Sequence, residues 1–288
     1  MSLVTRFAPS PTGLLHLGHV HSALAGFRAA QEAGGKFLVR IEDIDAGRCR
    51  AEFVDAIVED LTWLGIAWDG PVRRQSEHMA DYRQALAKLE SRGLLYPCFC
   101  TRAAIQAEIR GADAAPHGFD GAPYPGTCRG QSPAERERRL ATGTPYALRL
   151  DVAKAAARTG TLFWEDDGAG RIAADAAAQG DAVLARKDSP TSYHLAVTVD
   201  DALQGVTLVT RGVDLFAATD VHRLLQALLD LPVPRYRHHK LLTDAAGRRF
   251  AKRDQALTIR ALRASGKSAA EILDLAGNVT AGRHSPTN

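Results

Sequence analysis

Arg6-Phe7-Ala8-Pro9-Ser10-Pro11-Thr12-Gly13-Leu14-Leu15-His16-Leu17-Gly18-His19 decides how the rest of the chain is read. Leu3 to Phe7 reads as a short strand, and Pro9, Pro11 and Gly13 punctuate a loop after it. His16 and His19 stand three apart at a helix start, which puts both imidazoles on one face of the first turn. The unpaired N–H groups of that turn and the positive end of the helix dipole point the same way. Gly18 carries no side chain to keep a ligand from the backbone. Such a tip suits a triphosphate and the charge that develops on an attacked phosphorus. His16, Gly18 and His19 are therefore candidate ATP-binding residues, and His16 and His19 candidate catalytic ones.

Working outward, Leu15 to about Ala33 favours helix and stops at Gly34-Gly35. Phe37 to Ile41 is an apolar run, as in a strand covered on both faces. Phe53, Ile57, Leu61 and Leu64 recur at helical spacing, and Asp81 to Arg92 reads as another helix closed by Gly93. Strands alternating with helices predict an α/β fold built on a parallel sheet. The pattern breaks over Gly111 to Pro133, rich in Gly, Pro and Ala, as an inserted module would break it. It returns with expected strands at His194 to Val199 and Val206 to Thr210, a helix carrying Val221, Leu225 and Leu229, and a last short helix from Ala269 to Leu275.

The chain has 288 residues, enough for one substantial core with an inserted module. Its formal charge is only +3, from 36 Lys and Arg against 33 Asp and Glu, so a nucleic-acid footprint has to be local. No apolar run spans a bilayer and no signal-peptide segment opens the chain, so a cytoplasmic location is expected. Clustered thiols in a reducing compartment point to metal more than to disulfides. Cys98-Phe99-Cys100 and Cys128 offer three soft ligands suited to tetrahedral Zn²⁺, and Tyr124 lies four residues before the last. Cys49 stands apart as an ordinary small residue.

Three ordered segments carry a family resemblance: Arg6 to His19, Arg40-Ile41-Glu42-Asp43-Ile44-Asp45, and Arg211-Gly212-Val213-Asp214-Leu215 followed by Thr219. Together they resemble the glutamyl and glutaminyl branch of the class I aminoacyl-tRNA synthetases, whose catalytic domain opens R-F-A-P-S-P-T-G. The resemblance implies a Rossmann-type sheet with a zinc-containing insert and a short C-terminal helical segment. It divides the chain into a first catalytic half at 1–97, an insert at 98–189 and a second half at 190–245. A K-M-S-K-S-like loop with terminal helices takes 246–276, and a mobile tail 277–288. It implies an L-glutamate pocket of Arg6, Ala8, Ser10, Glu42, Tyr193 and Arg211. The arginines would grip the γ-carboxylate, and Glu42 would receive the α-ammonium. Arg249-Phe250-Ala251-Lys252-Arg253 stands where the family has K-M-S-K-S. Lys252 then joins the catalytic and ATP-binding set, while Arg249 and Ala251 depart from the pattern and put catalytic speed in question.

C-x-C followed by Y-x-x-x-C is similar to the zinc site of the short paralogues of glutamyl-tRNA synthetase that lack an anticodon domain. By that resemblance Cys98, Cys100, Tyr124 and Cys128 hold one structural Zn²⁺, with His117 as the fallback ligand, and ATP is used with Mg²⁺. Only 35 residues follow Arg253, too few for an anticodon-reading domain. The resemblance therefore implies glutamyl-adenylate formation without tRNA, then transfer to the queuosine base at the wobble position of tRNA(Asp). A monomer is expected. Arg129, Arg136, Arg138 and Arg139 are candidate RNA contacts. Two alternatives stand beside this: a minimal glutamyl-tRNA synthetase charging the tRNA 3′ end, and a non-catalytic paralogue binding RNA or amino acid.

Overall fold

A computed structural model describes residues 2–101, 124–242 and 258–277. The expected Lys252 and its flanking loop, the fallback ligand His117 and the 278–288 tail lie outside them. The chain divides into two compact units, the first made of Met1–Ser76, Val206–Val213 and Tyr236–Asn288, the second of Glu77–Gly205 and Asp214–Arg235. The first unit begins with β1 (Val4–Phe7), α1 (Leu17–Glu32), β2 (Lys36–Ile41), α2 (Ala51–Trp63) and β3 (Arg73–Arg74). The second then takes α3 (Met79–Ser91), β4 (Leu95–Cys98), α4 (Pro133–Ala141), β5 (Ala147–Leu150) and α5 (Val152–Thr159). It continues with β6 (Phe163–Asp166), β7 (Gly170–Ala173), β8 (Val183–Ala185) and α6 (Tyr193–Leu203). After β9 (Leu208–Gly212) comes α7 (Ala218–Leu229), followed by β10 (Arg235–His239), α8 (Ile259–Ala264) and α9 (Ala269–Gly277).

In the first unit β1 and β2 pair in parallel, with Val4 opposite Lys36 and Phe7 opposite Val39, and β3 joins β2 in parallel. Parallel pairing demands a crossover, and α1 supplies it. Gly34, at φ 58°, turns the chain out of α1 in the left-handed conformation that glycine adopts without penalty. Thr207 N–H donates to the Val4 carbonyl at 2.9 Å, bringing β9 beside β1. Gly26 lets α1 lie close on the sheet: a Cβ there would stand 2.9 Å from Thr210 Oγ1 and 3.1 Å from the Phe37 ring. Val20, Ile41, Ile57 and Leu61 are wholly buried between the helices and the strands. The expected helices and first two strands of this region are found within two residues of their predicted limits.

Asp60 on α2 is an exception inside this packing. It is buried, and its Oδ2 has no hydrogen-bond partner. Burial raises its carboxyl from an ordinary value near 3.8 to about 6, the positive charge of Arg260 offsetting only part of the shift. The fold thus binds this proton more tightly than the unfolded chain does, so stability falls as pH rises from about 4 to about 6. Asp60→Asn is expected to raise unfolding free energy at pH 8 by up to about 3 kcal/mol and to lose that gain below pH 4. Urea unfolding at the two pH values checks it.

In the second unit β4, β5 and β8 form an antiparallel sheet, with Leu95 opposite Leu150 and Cys98 opposite Ala147. A β6–β7 hairpin pairs Phe163 with Ala173. The stretch His194 to Val199, expected as a strand, is helical within α6. Every residue from Leu195 to Asp201 is buried. A helix buried all round leaves no polar face to reveal its period. Asp200 on this helix accepts hydrogen bonds from the Tyr82 hydroxyl of α3 at 3.0 and 2.9 Å. Tyr82→Phe is expected to lower unfolding free energy by about 1.5–3 kcal/mol, the usual worth of a hydrogen bond to a charged group. Denaturant titration reads it directly. Among the described residues, no helix is long and apolar enough to cross a membrane.

Candidate active site

Backbone bonds tie the loop after β1 to the segment beyond β2. Glu42 N–H donates to the Pro9 carbonyl at 3.0 Å, and Arg50 N–H to the Pro11 carbonyl at 3.1 Å. His16 caps α1. Its extended backbone turns Nδ1 onto the Gly18 N–H at 3.1 Å, while its own N–H donates to His19 Nδ1 at 3.2 Å. The two rings lie 3.8 Å apart. A Cβ on Gly18 would come within 3.0 Å of the His16 ring, so the position is tight as well as open to backbone approach. Because each Nδ1 accepts, each neutral ring carries its proton on Nε2, making a pair of N–H donors at the helix tip. Thr258 bridges to His16, and Ile259 N–H donates to the Leu15 carbonyl at 2.9 Å, so α8 starts beside the same tip.

Arg6 on β1 and Arg211 on β9 are each only 5 % exposed. Arg6 Nη1 donates to the Thr210 carbonyl at 3.1 Å, and Arg211 Nε to His238 Nε2 at 3.1 Å. Both of these acceptors are neutral, so they orient a guanidinium without cancelling its charge. Glu42, just beyond β2, is buried, and the wholly buried Arg40 reaches its Oε1 at 3.4 Å. Ala8 is half-buried and Ser10 exposed on the same loop. The first unit therefore brings Arg6, Ala8, Ser10, His16, Gly18, His19, Glu42 and Arg211 into one sheet-and-loop system. Tyr193 belongs to the second unit, at the start of α6, where its ring lies 5.6 Å from that of His222. Asp43, unassigned from the sequence, receives the Ser76 N–H and hydroxyl at 2.8 and 2.7 Å, a structural pairing. Sequence reasoning passed over Arg40, although it stands within one of the family-like segments, and His238, which no motif signals.

In the second unit the sulfurs of Cys98, Cys100 and Cys128 lie within 4.8 Å of one another. Cys100 Sγ is 3.4 Å from Cys128 Sγ and 3.5 Å from the Tyr124 hydroxyl. Cys128 N–H donates to that hydroxyl at 2.8 Å and Phe99 N–H to Cys128 Sγ at 3.4 Å. Burial pushes the Cys100 thiol up to about 11. Burial also works against the Cys128 thiolate, but hydrogen bonds from Tyr124 and Phe99 outweigh it and draw that thiol below its ordinary value. The Arg149 guanidinium lies 3.8 Å over the Tyr124 ring. Three convergent sulfurs with an adjacent phenol fit a tetrahedral zinc ion by both number and softness of donors. Asp181 anchors the surroundings, taking the Tyr96 hydroxyl at 2.5 Å, Arg129 Nη1 at 3.0 Å and the Val152 N–H at 3.0 Å. Arg138 and Arg139 on α4 pair with Glu135, and Arg136 Nη2 donates to the Arg129 carbonyl at 2.6 Å.

A parallel sheet thus leads from its first strand to a histidine-capped helix and carries buried arginines near the ends of β1 and β9. Residues 2–277 match the family described as tRNA synthetases class I (E and Q), catalytic domain. The chain belongs to this family of ligases. It is 49 % identical over 282 residues to a glutamyl-Q tRNA(Asp) synthetase of Rhodobacter capsulatus, covering 96 % of this chain and 100 % of that protein. It is 39 % identical to a glutamate–tRNA ligase of Aquifex aeolicus, covering 91 % of this chain but 54 % of that protein. Among solved structures, a glutamate–tRNA synthetase of Elizabethkingia anophelis superposes with a TM-score of 0.74 at 28 % identity, over 88 % of this chain and 53 % of that one.

Proposed function

We propose that the chain converts L-glutamate and ATP, taken as its Mg²⁺ complex, to glutamyl-adenylate without tRNA, then passes the glutamyl group to the queuosine base of tRNA(Asp). The observation that carries the first step is the pair of buried guanidiniums, Arg6 and Arg211, each oriented by a neutral acceptor. A buried cation held this way is suited to a carboxylate taken bidentately. Glu42 receives the α-ammonium, and Ala8 and Ser10 line the pocket. The substrate's α-carboxylate oxygen attacks the α-phosphorus, and pyrophosphate leaves. The Nε2–H groups of His16 and His19 meet the charge developing on the phosphate oxygens, and Gly18 puts no side chain in the way. Lys252, outside the described residues, fills the same role toward the departing pyrophosphate.

In the second step a cyclopentenediol hydroxyl of queuosine attacks the mixed anhydride and AMP leaves. This acceptor is favoured by the relative at 49 % identity, whose name carries it and whose whole length is matched. Cys98, Cys100, Tyr124 and Cys128 would hold Zn²⁺, a structural crosslink between the end of β4 and the segment around Tyr124. The test is glutamate-dependent ATP–pyrophosphate exchange without tRNA, followed by glutamyl transfer to tRNA(Asp) with and without queuosine. Acceptance that persists without the modified base would move the product to the terminal ribose. Absence of exchange would leave a binding paralogue.

A further inference from the structure

We propose that His238 is the positioning residue for Arg211, fixing which edge of its guanidinium meets the substrate carboxylate. This rests on the reading of Arg211 as a carboxylate-binding group. Tyr236 and His238 alternate along β10 and so share a face of the strand. Their rings are nearly parallel, 7° apart in plane and 6.1 Å between centroids. Arg211 meets both. Its Nε–H is directed to His238 Nε2 at 3.1 Å, and its central carbon stands 5.2 Å from the Tyr236 ring centroid.

A guanidinium can grip a carboxylate from the side, through Nε and one terminal nitrogen, or end-on through both terminal nitrogens. With Nε–H committed to His238, the end-on edge is selected. The aromatic ring beside it steadies the plane of the cation. His238 accepts here, so its imidazole is neutral, with the proton on Nδ1. That neutrality matters as much as the hydrogen bond. A carboxylate at 238 would hold Nε–H at least as firmly, but it would cancel the charge that the substrate needs.

The test compares His238→Leu, His238→Gln and His238→Glu in glutamate-dependent ATP–pyrophosphate exchange, with thermal melting to confirm folding. Leucine keeps the bulk and removes the acceptor, so KM for glutamate is expected to rise about 10- to 100-fold. The kcat and KM for ATP should stay within about threefold, a split that general loosening of the strand would not produce. Glutamine restores a neutral acceptor and should bring KM for glutamate back to within about threefold of wild type. Glutamate should be worse than leucine despite being the better acceptor. If leucine leaves KM for glutamate unchanged in a protein that Arg211→Ala inactivates, or if glutamine and glutamate are impaired alike, the assignment is overturned. Should the leucine variant melt early, the glutamine and glutamate pair carries the comparison alone. A wild-type protein with no glutamate-dependent exchange would instead bring down the glutamate reading, and this assignment with it.

Discussion

Arg211→Ala is expected to lower kcat/KM for glutamate in ATP–pyrophosphate exchange by about 10²- to 10⁴-fold, with the protein still folded. Removing one partner of a buried, hydrogen-bonded charge pair costs about 2–5 kcal/mol or more, and each 1.36 kcal/mol is about tenfold in rate. Arg211 is 5 % exposed and directed onto His238, so its planar fork is held in one orientation that a truncated side chain cannot reproduce. Lysine at 211 should recover little of the loss, because it offers a point charge in place of two parallel donors. The fold should survive, since the interior of the first unit rests on residues such as Val20, Ile41, Ile57 and Leu61. An alanine variant that melts normally and exchanges at the wild-type rate would exclude Arg211 from substrate binding.

The second large effect is expected at the cysteine cluster. Wild-type protein should carry about one equivalent of zinc by elemental analysis, and Cys98→Ser should lose it. Cys98 closes β4, and Cys128 lies in a turn whose N–H groups and thiol are knitted to Tyr124 and Phe99. Structural zinc contributes about 10–16 kcal/mol in small peptides that fold only around it. Here the β4–β5–β8 sheet provides part of the framework, so a smaller loss is expected. Even about 3 kcal/mol would lower Tm by about 6–12 °C in a chain of this size. Chelation of the wild-type protein should reproduce the shift. Wild-type protein that is metal-free as purified, and whose melting neither chelation nor Cys98→Ser lowers, would remove zinc from the site.

What could be read from the sequence was what depends on local spacing or on rare chemistry. Phe53, Ile57 and Leu61 announce α2 because one face of that helix is buried and the other wet. The two histidines flanking Gly18 announce the tip of α1 because few other arrangements put imidazoles on one turn. The thiols at 98, 100 and 128 needed only their element to suggest a cluster. Long-range pairing was not legible. Strands β4, β5 and β8 are three or four residues long and find each other across more than thirty residues of chain, so no periodicity marks them. Residues 194–199 misled because full burial hides a helix's period. His238 carries no local sign at all; only the fold sets it against Arg211.

Arg6 and the carbonyl that receives it are separated by 204 positions in the chain. The first unit is assembled from three stretches of sequence, with the second unit emerging between them. During synthesis, then, the earliest guanidinium waits without its Thr210 partner until most of the polypeptide has left the ribosome. The uninterrupted run of the second unit, Glu77–Gly205, is complete before that moment. The order of birth runs opposite to the order in which the sequence announces itself: the segment that names the family at residue 6 is among the last to reach its final company.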